Sequence, residues 1–239
     1  MRRFEAAVVL VVLAGCKPKP PPAEVDAGTV AVAVAGSTLI DECESMKPRA
    51  AVACDDLGDA YAEGKGMPAD AAKAVAAYQR SCDKGFTIGC THLAKHYLEG
   101  RGVAKDPAKA AELLDATCKR GLDIACDQLG ELYDKQVPPD EAKGAEAFRR
   151  GCDLGYARAC RELGRHYRDG RGVPKDIKLA LPLYEKGCMG GDAVTCYDLG
   201  EMFAEGIGVP IDKAKARDWY TKGCDAKFEL SCTKAKELR

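Results

Sequence analysis

The sequence repeats itself with a nearly constant period, and each repeat is marked by a pair of cysteines with seven residues between them. The pairs are Cys82/Cys90, Cys118/Cys126, Cys152/Cys160, Cys188/Cys196 and Cys224/Cys232. The first cysteines of successive pairs are separated by 36, 34, 36 and 36 residues. A fixed period of this size indicates a solenoid, in which each repeat packs only against its neighbours.

Each repeat shows the pattern of two helices. In the first helix of the fourth repeat, Cys160 is followed by Leu163, Gly164 and Tyr167, which lie on one helix face. A Gly-x-Gly turn follows in four repeats. An aspartate that can cap the second helix recurs at Asp70, Asp106, Asp140, Asp176 and Asp212. We therefore predict an all-α, right-handed α/α superhelical solenoid of five helix-turn-helix repeats of about 36 residues.

The period also suggests domain boundaries. We predict an N-terminal half-repeat cap at 39–53, five repeats at 54–232 and a C-terminal cap at 233–239. The third repeat is two residues shorter, and Val137-Pro138-Pro139 replaces its glycine turn, so that this loop must close differently.

The N-terminus has the features of an export signal. Arg2 and Arg3 precede an apolar run that is too short to span a bilayer, and the run ends in Leu13-Ala14-Gly15-Cys16. This ending resembles the bacterial lipobox, which implies a signal peptide at 1–15 and a lipid on Cys16. The alternative is an ordinary secretory signal that removes Cys16. The proline-rich stretch that follows predicts a disordered tether at 16–38.

The cysteine count favours one disulfide pairing. Without Cys16, twelve of the thirteen cysteines remain, and an exported protein keeps its disulfides. Pairing the two ends of each helix pair would leave Cys43 and Cys232 without partners. Pairing in sequence order leaves none free and is the pairing that we predict, with Cys43–Cys54, Cys82–Cys90, Cys118–Cys126, Cys152–Cys160, Cys188–Cys196 and Cys224–Cys232.

These motifs resemble a known family. The combination of Leu-Gly-x-x-Tyr, Gly-x-Gly-Val and Asp-x-x-Lys-Ala is similar to Sel1-like repeats, and the spaced cysteine pair resembles their Hcp-type cysteine-rich secreted branch. Tetratricopeptide repeats are the nearest rival, but they run at 34 residues and lack the cysteine pair. The resemblance covers residues 39 to 239 and implies weak penicillin-binding or β-lactam-hydrolysing activity as one alternative.

Candidate chemical groups are few. Ser81 with Lys84 and Ser231 with Lys234 fit Ser-x-x-Lys, but the accompanying Ser-Asp-Asn and Lys-Thr-Gly motifs do not occur, so we predict no catalytic residue. His92 and His96 have a spacing that can hold zinc, but no third ligand is evident. We interpret them and His166 as exposed helix residues, and we predict neither a metal nor a cofactor.

One column of charged residues suggests a binding surface. The residues five positions after the cysteine that opens each repeat alternate in sign, and they are Asp59, Lys95, Glu131, Arg165 and Glu201. One interpretation is a ladder of ion pairs between neighbouring helices. The other is a mixed-charge concave surface that binds a protein or peptide.

The predicted function is therefore an extracytoplasmic repeat scaffold that binds a protein or peptide along its concave face. The alternatives are a β-lactamase-like hydrolase that takes a β-lactam or cell-wall fragment, and a spacer without a ligand. The balance of 36 basic and 37 acidic residues argues against nucleic acid. We expect a monomer that meets the membrane only through its lipid. Because Lys17 follows Cys16, the lipobox resemblance implies the outer membrane, facing periplasm or surface.

Overall fold

The computed structural model describes residues 37–136 and 138–238, which form twelve α-helices and no strand. The predicted signal peptide, Cys16 and all but the last two residues of the predicted tether lie outside the described residues. Helix α1 covers 37–44. The others are α2 (Ala50–Glu63), α3 (Ala71–Asp83), α4 (Thr87–Glu99), α5 (Pro107–Lys119), α6 (Asp123–Lys135), α7 (Glu141–Asp153), α8 (Ala157–Asp169), α9 (Ile177–Met189), α10 (Ala193–Glu205), α11 (Lys213–Asp225) and α12 (Glu229–Glu237).

The helices form an α/α solenoid of five helix pairs. In each pair an even-numbered helix is the first helix of a repeat and the next odd-numbered helix is the second. First helices of neighbouring repeats contact each other more extensively than second helices do, most closely α2 with α4, α6 with α8 and α10 with α12. In a curved stack the inner helices lie closest together, so the first helices form the concave layer.

The first helices begin before the cysteine of each repeat. Helix α2 starts at Ala50, and Cys54 lies in its second turn. The predicted boundary at residue 54 therefore falls inside a helix. Small residues such as Ala53 and Ala125 precede the cysteines and are buried, so the packed part of each helix extends toward its N-terminus.

Local sequence explains where the helices end. Gly64, Gly100, Gly170 and Gly206 adopt the left-handed conformation directly after a first helix, with φ between 70° and 76°. The third repeat has no such glycine, and Gln136 after α6 is extended instead. All five predicted capping aspartates accept backbone N–H groups at the starts of the second helices, including Asp140 in the shortened repeat. The changed loop therefore leaves the start of α7 intact.

In four of the five repeats the core pairs a glycine on the first helix with an aromatic ring on the second, and the second repeat has Ala94 and Leu114 at these positions. A Cβ added to Gly130 would lie 2.6 Å from Cε1 of Phe148, and Gly58 and Gly200 stand equally close to Tyr78 and Tyr220. Gly164 is less tight, because its Cβ would lie 3.3 Å from Tyr184. The lack of a side chain lets the two helices of a pair approach, which outweighs the cost of glycine in a helix, about 1 kcal/mol relative to alanine.

Six disulfides join the twelve cysteines in sequence order, from Cys43–Cys54 to Cys224–Cys232. Five of them link the end of one repeat to the start of the next across eight positions. The sixth joins α1 to α2, so that the N-terminal cap is held in the same way. Within the described residues, no helix is both long and apolar enough to cross a membrane.

Candidate binding surface on the first helices

Neither serine of the two Ser-x-x-Lys sequences is presented as a nucleophile. Both side chains are fully buried, and the Ser81 hydroxyl donates to the backbone carbonyl of Ala51 at 2.7 Å. Lys84 donates to the carbonyl of Ser45, and Lys234 forms an ion pair with Glu237. Each lysine amine therefore contacts a group other than the serine that it would have to activate.

The histidines differ from the sequence interpretation. His96 and His166 are not exposed, since their exposed fractions are 5% and 0%, and His92 is half-buried. Nδ1 of His96 lies 2.7 Å from the carbonyl oxygen of Arg101, and Nδ1 of His166 makes the same contact with Arg171. Both imidazoles therefore brace the Gly-x-Gly turn that follows their helix.

His166 has a second polar contact. Its Nε2 lies 3.0 Å from Asp134, which also accepts from Arg171 at 2.8 Å. Both ring nitrogens of His166 are thus occupied by protein groups. Among the described residues, no group of three or more histidine, cysteine or acidic side chains is arranged to hold a metal ion.

The five residues of the charged column do not form a ladder with one another. Asp59 accepts a hydrogen bond from the Tyr78 hydroxyl at 2.6 Å, and Glu201 accepts one from Tyr220. The ion pairs that do cross between repeats mostly join positions offset by about one helical turn. Arg158 lies two positions before Cys160, the cysteine of its own repeat. Its guanidinium pairs with Asp127 and Glu131, which lie one and five positions after Cys126, the cysteine of the preceding repeat. Neighbouring first helices are therefore displaced along their axes, which separates residues of the same column.

Ion pairs cover the concave layer from the third to the fifth repeat. We call them the arginine network. Arg161 contacts Asp192 at 2.9 Å and Glu162 at 3.2 Å. Arg165 contacts Asp198 at 3.2 Å and Glu162 at 3.4 Å. With the contacts of Arg158, the network comprises Arg158, Arg161, Arg165, Asp127, Glu131, Glu162, Asp192 and Asp198.

Burial shifts the acidity of this network. The side chain of Asp127 has no exposed surface, and burial raises its pKa to about 6, although Arg158 acts in the opposite direction. Burial also raises the pKa of Asp198. For Glu131, burial is outweighed by Lys135 and Arg158, and the pKa is lowered. For Asp127 and Asp198, burial thus opposes the charged carboxylate and the neighbouring arginines favour it.

The concave layer of the first two repeats is more open. On the described first helices α2 and α4, both cross-repeat ion pairs are made by His92, whose Nδ1 lies 3.0 Å from Asp55 and 3.9 Å from Asp59. The hydrogen bond from His92 to Asp55 raises the pKa of the imidazole. Lys95 is exposed and has no ion-pair partner among the described residues.

An apolar column, which sequence reasoning missed, runs along the same layer. It occupies the position two residues before each first-helix cysteine. Val52, Ile88 and Ile124 are 42%, 41% and 38% exposed there, and Leu230 is 58% exposed. Val194 is half-buried, and Arg158 is the one charged residue at this position. The signal in the sequence is the recurrence of an aliphatic residue at a fixed distance from the cysteine.

Fold and disulfides together define a repeat scaffold. The sequence matches the Sel1 repeat family over residues 51–86, 87–122, 123–156, 157–192 and 193–228. The chain therefore belongs to the Sel1 repeat family, with five repeats. No curated protein sequence matches it.

Solved structures share the architecture. A protective antigen present in uropathogenic Escherichia coli strains is 27% identical, with a TM-score of 0.74 over 85% of this chain, which spans 43% of that antigen's length. A Sel1 repeat protein from Oxalobacter formigenes is 24% identical, with a TM-score of 0.69 over 83% of this chain and 84% of its own. Cysteine-rich protein B of Helicobacter pylori is 26% identical over 54% of this chain and 94% of its own, with a TM-score of 0.46. Membership of the cysteine-rich branch stays a prediction.

Proposed function

We propose that this protein binds another protein or a peptide on the concave layer formed by its first helices. The observation that carries the proposal is the apolar column, in which Val52, Ile88 and Ile124 are exposed at one equivalent position in three successive repeats. Single exposed aliphatic residues are ordinary, but a row of them in one layer indicates an interaction surface.

The charges around the column support a polar partner rather than a purely apolar one. Lys95 and Asp59 border the column in the first two repeats, and both carry exposed side chains. A protein or peptide offers apolar and charged groups together, as this surface requires. The five residues Asp59, Lys95, Glu131, Arg165 and Glu201 remain proposed partner-binding residues, with Lys95 the most available of them.

The place of action that we propose is outside the cytoplasm. Six disulfides suit an oxidising compartment. A lipid on Cys16 would hold the solenoid at a membrane surface. Metabolic labelling with a fatty-acid analogue, applied to the wild type and to Cys16→Ser, tests whether this lipid is attached. Labelling of both proteins, or of neither, would contradict the lipid anchor.

A photo-crosslinking experiment tests the binding surface. A photoreactive residue is placed at Ile88 in the concave layer or at Leu179 on the second helix α9, which are similarly exposed at 41% and 48%. Each protein, with disulfides intact, is illuminated in the envelope fraction of its native cells. We expect a discrete protein adduct from Ile88 and none from Leu179. Adducts of equal yield from both positions, or none from Ile88, would overturn the proposal.

The enzymatic alternative is separated by a different measurement. It rests on the resemblance to Hcp-type proteins alone, and the burial of Ser81 and Ser231 gives it no support. Incubation with labelled penicillin followed by mass spectrometry of the intact chain detects an acyl adduct. An adduct on either serine would establish a β-lactam-reactive protein. Absence of the adduct at high penicillin concentration would exclude this alternative and leave the proposal of a protein-binding scaffold.

A further inference from the structure

A groove lies in the concave layer between α4 and α6, the first helices of the second and third repeats. Its volume is about 700 Å³. Leu98 and Leu132 form apolar parts of its two walls, Leu114 of α5 lies beneath, and Lys105 and Pro107 line one end. Contact between α4 and α6 is less extensive than between α2 and α4 or between α6 and α8, and no ion pair joins the described residues of α4 to those of α6, so the layer is open at this point.

The groove has an excess of positive charge. Three lysines and one glutamate line it, which gives a net charge of 3 − 1 = +2, whereas the whole chain has a net charge of −1. The glutamate, Glu131, is already paired with Lys135 at 2.6 Å and with Arg158. Lys95 and Lys105 are exposed and have no ion-pair partner within residues 37–136 and 138–238. Their charges are therefore available to a ligand.

Polar groups suited to a peptide backbone complete the lining. Gln128 and Gln136 both line the groove, and a glutamine amide can donate to a carbonyl and accept from an N–H group. Leucine and proline side chains offer apolar contacts beside these amides. A ligand that satisfies all three features carries negative charge, apolar groups and hydrogen-bonding amides.

We infer that the groove between α4 and α6 binds an acidic peptide segment of a partner protein, with carboxylates at Lys95 and Lys105 and aliphatic side chains against Leu98 and Leu132. This inference rests on the proposed function and names the chemistry of its partner. The arginine network would contribute little to binding the acidic peptide, because its basic groups are already paired with carboxylates of the protein.

A random peptide library displayed on phage is a suitable probe, with inserts of about twelve residues that span about 40 Å when extended. The library is selected against the full mature protein with disulfides intact. The enriched peptides are then made synthetically and titrated against variants. We expect enrichment of peptides that combine Asp or Glu with aliphatic residues.

The decisive variant is Lys95→Glu combined with Lys105→Glu. We expect the affinity for the selected peptides to fall by about tenfold or more, since each reversal replaces an attraction with a repulsion. The matched control is Lys175→Glu combined with Lys178→Glu. Lys175 occupies the same loop position as Lys105 two repeats later, both control lysines are exposed, and neither lines the groove. The control should bind within about twofold of the wild type.

The outcomes separate this inference from the proposed function. Absence of enrichment, enrichment of basic peptides, or equal binding by both double variants would overturn the groove assignment. If the Ile88 crosslink forms in that case, concave-layer binding stands and only the acidic ligand is wrong. Residues 17–36 of the chain contain Glu24 and Asp26. A synthetic peptide of residues 23–36 is therefore titrated as well. If it binds the groove as tightly as the selected peptides, the groove is occupied by the chain's own segment, and the inference of a separate partner protein is wrong.

Discussion

The two ends of the concave layer share one arrangement of helices but differ in the side chains at the surface. In the first three repeats the position two residues before the cysteine is aliphatic and exposed, at Val52, Ile88 and Ile124. In the fourth repeat the same position is Arg158, whose guanidinium reaches back to Asp127 and Glu131. One substitution in the column therefore accompanies a change from an open surface to one covered by internal ion pairs.

The difference teaches that regularity of fold does not imply regularity of surface. Capping, small-to-large packing and disulfides are nearly constant along the chain. The concave side chains vary, because they do not decide whether the helices form. A binding site in such a scaffold is therefore best sought where the concave side chains are exposed and do not pair with one another.

Reduction of the disulfides has the largest expected effect, because it removes what both ends share. Each loop of eight positions contributes about 2.5 kcal/mol in the chain-entropy description, which gives an upper bound of about 15 kcal/mol for six. That sum rivals the whole stability of a domain, about 5–15 kcal/mol. We expect reductant to unfold most of the helical structure, as measured by circular dichroism.

Hydrogen exchange during reduction sharpens the comparison. The first two repeats should lose protection before the fourth and fifth, where the arginine network also joins neighbouring repeats. A melting curve unchanged by reductant would refute the stabilising role of the disulfides. Simultaneous loss of protection along the chain would show that the network adds nothing to local stability.

Arg158→Ala should be the most damaging single substitution in the arginine network. It leaves the fully buried Asp127 without its basic partner, which costs about 3 kcal/mol of unfolding free energy. Chemical denaturation measures this cost. Asp127→Ala and the combined substitution of both residues by alanine complete a double-mutant cycle. The double variant should lose less stability than the sum of the two single variants, and a loss equal to that sum would mean that the two side chains do not interact.

Asp127→Asn should change how stability depends on pH. Burial raises the pKa of Asp127 from 3.8 to about 6, so the folded protein holds this proton more tightly than the unfolded chain. The resulting stability is present below pH 3.8 and is lost as pH rises to about 6. About two pKa units correspond to at most about 3 kcal/mol.

Asparagine cannot titrate, so Asp127→Asn should gain stability relative to the wild type over this interval. Denaturant titrations at the two ends of the interval provide the measurement. A difference in unfolding free energy that stays constant with pH would show that Asp127 titrates normally.

The smallest expected effect compares the same column position at the two ends. Arg165→Ala removes contacts to Glu162 and Asp198 and should cost about 1 kcal/mol, less at high salt. Lys95→Ala removes no ion pair and should change stability by less than about 0.5 kcal/mol. Equal costs for the two variants would remove the distinction between a paired and an unpaired end.

Most of the fold could be predicted from the sequence, because it depends on local rules. The aspartate caps, the left-handed glycines and the pairing of Gly130 with Phe148 follow from residue type and helical spacing. The loop of the third repeat could be flagged only as different, since Val137-Pro138-Pro139 has no counterpart in the other repeats.

The burial of His96 and His166 was missed although the sequence contains a signal. The same position holds Ala60, Leu132 and Met202 in the other repeats, and Ala60 and Met202 are buried. The partners of the charged column were missed for a different reason. Alignment by cysteine assumes that first helices lie side by side without offset, whereas Arg158 pairs with residues a turn or more away in the aligned register.

The placement of the disulfides also has a consequence for how such a chain can change length. Each bond that joins two repeats spans eight positions, and each cysteine pair recurs once per period. A deletion or duplication of one whole period therefore removes or adds a first and a second cysteine together, wherever its ends fall. The new junction restores the same spacing, and no thiol is left without a partner. The chain can gain or lose a unit of binding surface while its covalent framework stays complete.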